Sequence, residues 1–262
     1  MPEGERGGYG VSQKNLAGQT ALITGAAKRI GRAVAVALAE EGANIVIHYR
    51  SSAQEAEELR VLLKQLGVEA WLVQADFENA GETDALIGRA LEMAGMLDIL
   101  VNSASMFPKS TLDDVTFEEV VRNVQVNAWA PFVLSREFAR LVGRGKIVNF
   151  LDSALNDYDW SHVAYYLSKH LFSVLTRMTA LEFAPEITVN GVAPGLILPP
   201  PGTDESRLAR LMDTVPLKRR GFPEDIADTV LYLLRSDFVT GHVIPVDGGR
   251  HLRGMHNGPD SD

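Results

Sequence analysis

The chain contains no cysteine among its 262 residues. This absence excludes disulfides, thiol catalysis and zinc–thiolate sites, and no metal site is predicted. No run of about 18 apolar residues is present, so a membrane-spanning helix is not expected. The 25 basic residues are outnumbered by 34 acidic ones, giving a formal net charge of −9 without a basic stripe. Neither a membrane nor a nucleic acid is therefore expected as a partner.

The first residues, MPEGERGGYGVSQKN, are polar and rich in glycine, without the apolar centre of a signal peptide. A cytoplasmic protein is the expectation. The length, with 46% apolar residues, suits one large α/β domain better than two small ones. We expect a flexible N-terminal tail at residues 1–17, a domain at 18–250 and a weakly structured C-terminal tail at 251–262.

Short apolar runs rich in valine and isoleucine alternate with longer helical patterns. The predicted strands are TALIT (20–24), NIVIHY (44–49), AWLVQAD (70–76), LDILVNSA (97–104), GKIVNFL (145–151), ITVNGVA (187–193) and HVIPVDG (242–248). Strands that are apolar along their length are typical of parallel sheets with helices on both faces. The alternation predicts a single-domain, doubly wound Rossmann fold with a seven-stranded parallel sheet. The long irregular connection after the sixth strand predicts a substrate lid at residues 194–216.

A glycine-containing turn, TGAAKRIG (24–31), follows the first strand. Gly25 allows a sharp turn, and Gly31 allows the next helix to approach the sheet. The N-terminus of that helix can then offer backbone N–H groups to a diphosphate. After the first strand of a βαβ unit, this turn predicts a dinucleotide site; a merely tight connection is the alternative.

The end of the second strand, HYRSS (48–52), predicts which nicotinamide cofactor binds. Sites for NAD usually have an acidic residue here for the ribose 2′-hydroxyl. Arg50 instead offers a cationic fork to a 2′-phosphate, with Ser51 as a neutral donor. Lys28 and Arg29 add positive charge nearby. We therefore expect NADPH/NADP+ as the cofactor; the alternative is a solvated arginine.

Further cofactor contacts are expected at the carboxyl edge of the sheet. Asp76 can accept a hydrogen bond from the adenine amine, or it is an ordinary residue at a strand end. Asn102, in VNSAS, can hold the adenosine ribose by its backbone carbonyl, or it forms a structural turn. The predicted cofactor-binding residues are Gly25, Lys28, Arg29, Ile30, Gly31, His48, Arg50, Ser51, Asp76, Asn102, Ser103, Ala104, Tyr165, Lys169, Pro194, Gly195, Leu196 and Ile197.

A tyrosine and a lysine one helical turn apart form the candidate catalytic pair. A tyrosine hydroxyl has an ordinary pKa of about 10, and a cation at Lys169 favours the phenolate of Tyr165. Tyr166 is a competitor, but the residue four positions later is His170, which carries less charge. Asn127, in NVQVNAWAPF, can anchor a water for proton relay; the alternative is a polar residue that caps or bends its helix.

These segments together resemble the short-chain dehydrogenase/reductase family over about residues 18–250, through TGAAKRIG, NSAS, Asn127, YYLSK, NGVAPG and VDGG. The resemblance implies that Tyr165 donates the proton, Lys169 tunes it and Asn127 supports the relay. In that family a serine normally stands thirteen residues before the tyrosine. Here that position is Asp152. Ser153 follows it, so a one-residue shift is the alternative.

Asp152 also makes the chain resemble a narrower branch, the pteridine reductases and bacterial dihydromonapterin reductases. These proteins carry aspartate at the serine position. They also have arginine where the common pattern T-G-x-x-x-G-x-G has its second glycine, here Arg29. HYRSS resembles the end of their cofactor-selecting strand. NSASMF resembles their N-x-A-S-x-F segment, which implies that Phe107 stacks on the pterin beside Ser105.

His162, APGLIL (193–198) and VDGGRHLR (246–253) are most similar to the dihydromonapterin reductases. The departures are NSA in place of the usual NNA and the unmatched N-terminal tail. The substrate residues that the resemblance implies are Ser105, Phe107, Asp152, His162, Tyr165 and Leu196. The family is usually tetrameric, which implies a homotetramer built on helices around 116–142 and 161–184. Arg253 is expected to reach a neighbouring subunit's site.

The predicted activity is an NADPH-dependent reduction of a pterin, a dihydropterin or dihydrofolate with a C=N bond. A carboxyl group hydrogen-bonded to Tyr165 can share or deliver the proton that the ring nitrogen needs. This is the role expected of Asp152. One alternative is a reductase of 3-oxoacyl thioesters or other small ketones within the same family. Another is a non-catalytic NADP-binding regulatory protein.

Overall fold

The computed structural model describes residues 16–156, 160–199 and 211–252. Its strands are β1 (Thr20–Ile23), β2 (Asn44–Tyr49), β3 (Ala70–Gln74), β4 (Ile99–Asn102), β5 (Gly145–Phe150), β6 (Ile187–Pro194) and β7 (Val243–Val246). Its α-helices are α1 (Arg29–Glu40), α2 (Ala53–Gln65), α3 (Ala80–Ala94), α4 (Phe117–Val124), α5 (Ala130–Leu141), α6 (Val163–Glu182) and α7 (Pro223–Arg235). A π-helical segment, Gln125–Trp129, joins α4 to α5, and 3₁₀ turns cover Ser153–Asn156 and Arg250–Leu252.

The seven strands form one sheet in the order β3-β2-β1-β4-β5-β6-β7, and every neighbouring pair is parallel. The prediction of a single doubly wound Rossmann domain is therefore confirmed. The strand order reverses between β1 and β4. In open α/β sheets, ligands bind outside the carboxyl ends of the strands at this reversal.

Helices cover both faces of the sheet, because successive residues of each strand point to opposite sides. Ala21 and Ile23 of β1 belong to one buried cluster, with residues from α1, α2 and α7. Leu22 belongs to another, with residues from α3, α5 and the π-helical segment. Both layers are apolar, which explains why the strands have no polar face in the sequence.

Side-chain caps fix where α3 and α4 begin after the carboxyl edge of the sheet. The Asn79 side chain accepts hydrogen bonds from the backbone N–H groups of Gly81 and Glu82 and so begins α3. Thr116 and Glu119 form a reciprocal capping box that begins α4. These caps satisfy N–H groups that have no partner within the helix.

The packed part of the domain extends slightly beyond residues 18–250. Leu16 is buried, and its N–H donates to the Glu41 carbonyl at 2.9 Å. At the other end, the His251 N–H donates to the Asp247 carboxylate at 2.6 Å. Residues 1–15 and 253–262 of the expected tails, including Arg253, lie outside the described ranges. Among the described helices, none has the length and apolar character needed to cross a membrane.

Candidate active site

A cleft of about 960 Å³ opens at the carboxyl edge of the sheet. Every residue predicted from the sequence to bind cofactor or substrate, or to take part in catalysis, lines this cleft, with two exceptions, Asn102 and Asn127. Among the described lining residues the acidic ones are Asp76 and Asp152. The basic ones are Lys28, Arg29, Arg50, Lys169 and Arg250. The cleft is thus suited to an anionic ligand.

The glycine turn brings the start of α1 to the edge of the cleft. Gly25 has a φ of +66°, and a side chain there would meet Ala104 at 3.0 Å. At Gly31 a Cβ would lie 2.5 Å from the Gly25 carbonyl oxygen. The first turn of α1 contains no acidic residue, and no side chain caps it. Its N–H groups and the helix dipole therefore suit a diphosphate, so the turn fits the predicted dinucleotide.

His48 supports this turn from within the protein. Its imidazole is 2% exposed and stacks on Phe77 with ring centroids 4.6 Å apart. Nδ1 accepts from the Gly25 N–H, and Nε2 contacts the Ala75 carbonyl oxygen, both at 3.1 Å. Burial lowers the pKa of His48 to about 4, so the ring is neutral and Nε2 carries its proton. The structure therefore gives the polar atoms of His48 a bracing role beneath the turn.

Arg29 combines a strained backbone with a long-range contact. Its φ is +56°, in the left-handed region that costs a non-glycine residue about 1 to 2 kcal/mol. This geometry explains why a glycine is common at the position. The Arg29 guanidinium donates to the Pro199 carbonyl at 2.7 Å. The side chain thus links the glycine turn to the segment that follows β6, a link that glycine would lack.

Cations surround the expected position of the adenosine ribose. Lys28 forms an ion pair with Glu55 at 2.6 Å. Arg50 lies 3.5 Å from the Glu78 carboxylate, which also pairs with Arg122 at 2.7 Å. Arg50 is exposed at the rim, so its guanidinium can turn toward a 2′-phosphate.

The corner after β4 is built on Thr24. Its Oγ1 accepts from the N–H groups of Ser103 and Ala104, at 2.9 and 3.0 Å, which brings these two residues to the cleft. Asn102 is 2% exposed, and its amide donates to Asn149 Oδ1 at 2.9 Å. The Asn102 side chain therefore joins two neighbouring strands. The ribose contact expected from its backbone carbonyl stays a prediction.

The candidate catalytic pair, Tyr165 and Lys169, lies on the face of α6 that borders the cleft. The Tyr165 hydroxyl donates to Asp152 Oδ2 at 2.8 Å, and Asp152 Oδ1 accepts from the Ala154 N–H at the same distance. Asp152 itself therefore contacts the tyrosine from the position where a serine is usual. The contact needs no one-residue shift to Ser153. Tyr165 and Asp152 can share a proton between the phenol oxygen and the carboxyl group.

Lys169 is buried beneath Tyr165 and Asp152. It is 3% exposed, and its ammonium donates to the Phe150 carbonyl at 2.8 Å. Nζ lies 5.7 Å from the centre of the Tyr165 ring. Burial lowers the pKa of Lys169 to about 8, against the opposing effect of the Asp152 charge. The cation is near enough to stabilise negative charge on the tyrosine.

The Asn127 side chain is bonded to the loop that follows β4. It lies in the π-helical segment, fully buried, and is absent from the described lining residues. Its Oδ1 accepts from the Met106 N–H at 2.8 Å and the Ser105 hydroxyl at 3.1 Å. Its Nδ2 donates to the Met106 carbonyl at 3.0 Å and to Ser168 Oγ at 3.1 Å. The side chain is occupied in positioning the loop after β4, so a water anchored by it stays a prediction.

The part of the cleft beside Tyr165 is aromatic. Phe107 stacks on His162, with ring centroids 3.9 Å apart, and meets the Tyr165 ring edge-on at 4.5 Å. Ser105 lines the same wall. The sequence had indicated no role in the cleft for Trp160 and Arg250, which also line it, and it treated Tyr166 only as a rival catalytic tyrosine. Leu211, from the predicted lid, lines the cleft as well. Arg250 directly follows the VDGG motif, which is the one signal that pointed toward it.

The predicted lid is described in part. Leu196 and Ile197 are buried, and the Gly195 N–H donates to the Val246 carbonyl at 3.0 Å, so this first portion is attached to β7. Residues 194–199 line the cleft. Residues 200–210 lie outside the described ranges, and closure over a substrate stays a prediction.

Comparison with known proteins places this geometry in context. Residues 25–251 match a family model described as enoyl-(acyl carrier protein) reductase. The chain is 35% identical to the short chain dehydrogenase/reductase nsrJ of Aspergillus novofumigatus, over 89% of this chain and 96% of that protein. It is 34% identical, over 88% and 96%, to a Streptomyces violaceoruber protein whose name describes it as ketoacyl reductase 2 of the granaticin polyketide synthase.

A solved structure is also similar over nearly the whole chain. It is FolM Alternative dihydrofolate reductase 1 from Brucella suis in complex with NADP. The TM-score is 0.87 and the sequence identity 31%, covering 94% of this chain and 99% of that one.

Proposed function

This chain belongs to the short-chain dehydrogenase/reductase family, and from that premise we propose that it is an NADPH-dependent reductase of a pterin. The substrate class is a dihydropterin or dihydrofolate, reduced at a C=N bond. The observation that carries the proposal is the 2.8 Å hydrogen bond from the Tyr165 hydroxyl to the Asp152 carboxylate. The resemblance of the fold to an alternative dihydrofolate reductase supports the same substrate class.

Asp152 suits a substrate that must gain a proton on nitrogen. A carbonyl oxygen needs only polarisation and a proton from the tyrosine, for which a serine hydroxyl is an adequate partner. An imine nitrogen in a polar ring benefits from a second proton-carrying group beside Tyr165. Asp152 accepts the hydrogen bond of the tyrosine hydroxyl, so a proton can be shared between the two groups before it reaches the ring nitrogen. Phe107, on the same wall, offers a flat face to a flat ring.

Lys169 supports proton donation by charge. A buried ammonium near the phenol stabilises the phenolate that remains after the proton has left. The Phe150 carbonyl holds the ammonium in place, so little reorganisation is needed during the reaction. Since the effect requires a charged lysine, it weakens as the pH rises through about 8.

The cofactor is NADPH, which supplies the hydride when bound. The N–H groups of the turn between Gly25 and Gly31 would hold its diphosphate, and Arg50, with Lys28 nearby, would hold the 2′-phosphate. Asp76 lines the cleft and could accept from the adenine. Tyr165 and Lys169 would bind the nicotinamide ribose beside the substrate.

Replacing Arg50 with alanine is expected to reduce the preference for NADPH over NADH by about 10- to 100-fold, since a hydrogen bond to a charged group contributes about 1.5–3 kcal/mol. The ratio of kcat/KM for the two cofactors measures this preference. Arg122→Ala is the matched control, because Arg122 shares the Glu78 partner but does not line the described cleft. An equal loss in both variants would indicate a general charge effect and not a 2′-phosphate contact.

Reduction of 3-oxoacyl thioesters or small ketones is the second candidate. The similarity to a protein named as a ketoacyl reductase favours it. Against it stands Asp152, because a carboxylate repels the developing negative charge on a carbonyl oxygen unless it is protonated. A non-catalytic NADP-binding regulator is the third candidate, which the Tyr165–Lys169 pair makes less suitable.

The test is NADPH consumption by the purified protein with dihydromonapterin or dihydrobiopterin, compared with an acetoacetyl thioester. The proposal expects preferential turnover of the pterin. Turnover of the thioester alone would contradict it and support the second candidate. NADPH binding without turnover of either compound would support the regulatory candidate.

A homotetramer is proposed as the assembly. The outer surface of α4, the π-helical segment and α6 is strongly apolar for a surface. Its exposed residues include Phe117, Val121, Trp129, Val174, Met178 and Leu181. Contiguous exposed apolar area of this kind is typical of protein–protein interfaces. Light scattering on the purified protein measures the number of subunits.

A further inference from the structure

The cleft wall that carries Phe107 contains one stacked pair of rings, those of Phe107 and His162. The imidazole of His162 lies parallel to the Phe107 ring, at an interplanar angle of 17° and a centroid distance of 3.9 Å. His162 is 5% exposed, whereas Phe107 is 39% exposed. The histidine therefore covers one face of the phenylalanine, and the residue remains partly exposed at the cleft.

The loop that bears Phe107 is anchored on both sides of this ring. On one side, the Asn127 side chain bonds both the N–H and the carbonyl of Met106. On the other, the Ser110 N–H donates to the Ser161 carbonyl at 2.9 Å, and the Val163 N–H donates to the Ser110 carbonyl at 3.0 Å. The backbone around Phe107 is thus joined to the start of α6, where His162 is the residue before the first turn.

These anchors fix the backbone, but they leave the phenylalanine free to rotate about its own side-chain bonds. The Tyr165 ring limits that rotation through a perpendicular contact, with ring centroids 4.5 Å apart. The stacked imidazole limits it further. A ring held in its binding orientation before a ligand arrives loses less conformational freedom on binding.

We propose that His162 is a positioning residue, which holds the Phe107 ring as a rigid stacking platform for the flat ring of the substrate. The proposal rests on the proposed function, because it assumes a planar heterocycle. It reassigns His162 from the direct substrate contact implied by sequence resemblance. With one face covered by Phe107 and little surface exposed, the imidazole acts on the substrate through the phenylalanine.

A double-mutant cycle tests this assignment. His162→Ala is expected to raise the KM for a dihydropterin about three- to tenfold, the effect of losing one ordered aromatic stack, with kcat and the KM for NADPH little changed. His162→Phe, which keeps a flat ring at the position, is expected to restore the KM. In a Phe107→Leu background, His162→Ala is expected to add almost nothing, because the residue it positions is gone.

His242→Ala is the matched control, since His242 is an exposed histidine just before β7 and lies outside the cleft. Equal increases in KM with Phe107 and with leucine at position 107 would overturn the proposal and return His162 to direct substrate contact. A failure of His162→Phe to restore the KM would point to the ring nitrogens and would overturn it as well.

The crystal structure of the His162→Ala variant separates this inference from the proposed function. The expected result is a Phe107 ring that is rotated or spread over several orientations. A ring that keeps its wild-type position would overturn the proposal, whatever the substrate. If the wild-type protein did not reduce dihydropterins, the function would fail, while this measurement would still decide the role of His162.

Discussion

Replacing Tyr165 with phenylalanine is expected to lower turnover about 1,000-fold, within the range of general acid catalysis, while leaving the affinity for NADPH nearly unchanged. The substitution removes one oxygen atom, the donor of the 2.8 Å hydrogen bond to Asp152. It keeps the ring that packs edge-on against Phe107. The loss should therefore appear in kcat under saturating substrate, and cofactor fluorescence should report normal binding of NADPH.

Tyr166→Phe is the matched control for Tyr165→Phe. Tyr166 is adjacent in sequence and lines the same cleft, and its ring lies against His170 at 4.1 Å. The residue four positions after it carries less charge than Lys169. A much smaller loss is expected for this variant. If its loss equalled that of Tyr165→Phe, the assignment of the proton donor would be wrong.

Replacing Asp152 with serine is expected to reduce kcat/KM for a dihydropterin about 100-fold, because the second proton-carrying group is removed while a hydrogen-bond partner for Tyr165 remains. Turnover of an acetoacetyl thioester should stay equal or rise, since serine is the residue usual in this family. Steady-state kinetics with both substrates measures the change in selectivity. Full retention of dihydropterin turnover would remove the carboxylate from the mechanism.

The same variant is expected to change the pH profile through Lys169. The negative charge of Asp152 raises the pKa of Lys169, while burial lowers it to about 8. Below this pKa the ammonium is present and activity is supported; above it the charge and the activity decline. Serine at position 152 removes the raising effect, so the alkaline decline should begin at a lower pH than in the wild type. An alkaline limb that does not move would show that the two groups are not coupled.

The fold and much of the candidate site could be predicted from local sequence patterns. Six predicted strands contain the observed strand completely, and their ends differ by at most two residues. The seventh, β6, extends one residue further than predicted, to Pro194. Glycine turns and helical spacing are short-range signals, so the Gly25 turn and the Tyr165–Lys169 face needed no tertiary information. The resemblance to the family's serine position indicated Asp152 as the partner of the tyrosine, and the structure shows the two side chains in contact at 2.8 Å.

The roles of individual polar atoms were harder to predict, because they depend on partners far along the chain. The sequence did not predict that the Asn127 amide bonds Ser105, Met106 and Ser168. It also did not predict that the two ring nitrogens of His48 contact Gly25 and Ala75. The relay role of Asn127 and the cofactor contact of His48 stay predictions. No local pattern distinguishes a polar side chain that faces a ligand from one that satisfies a neighbouring backbone group.

The sequence by itself determined the doubly wound sheet, the glycine turn after the first strand, the basic residues near the end of the second strand and the one-turn spacing of Tyr165 and Lys169. Each of these depends on residue type at short spacing, where steric and helical geometry leave few alternatives. Only the tertiary structure decided that Phe107 and His162 face one another, that Arg29 reaches Pro199 and that Trp160 and Arg250 line the cleft. These contacts join segments from different strand ends, and their geometry follows from how the helices pack on the sheet.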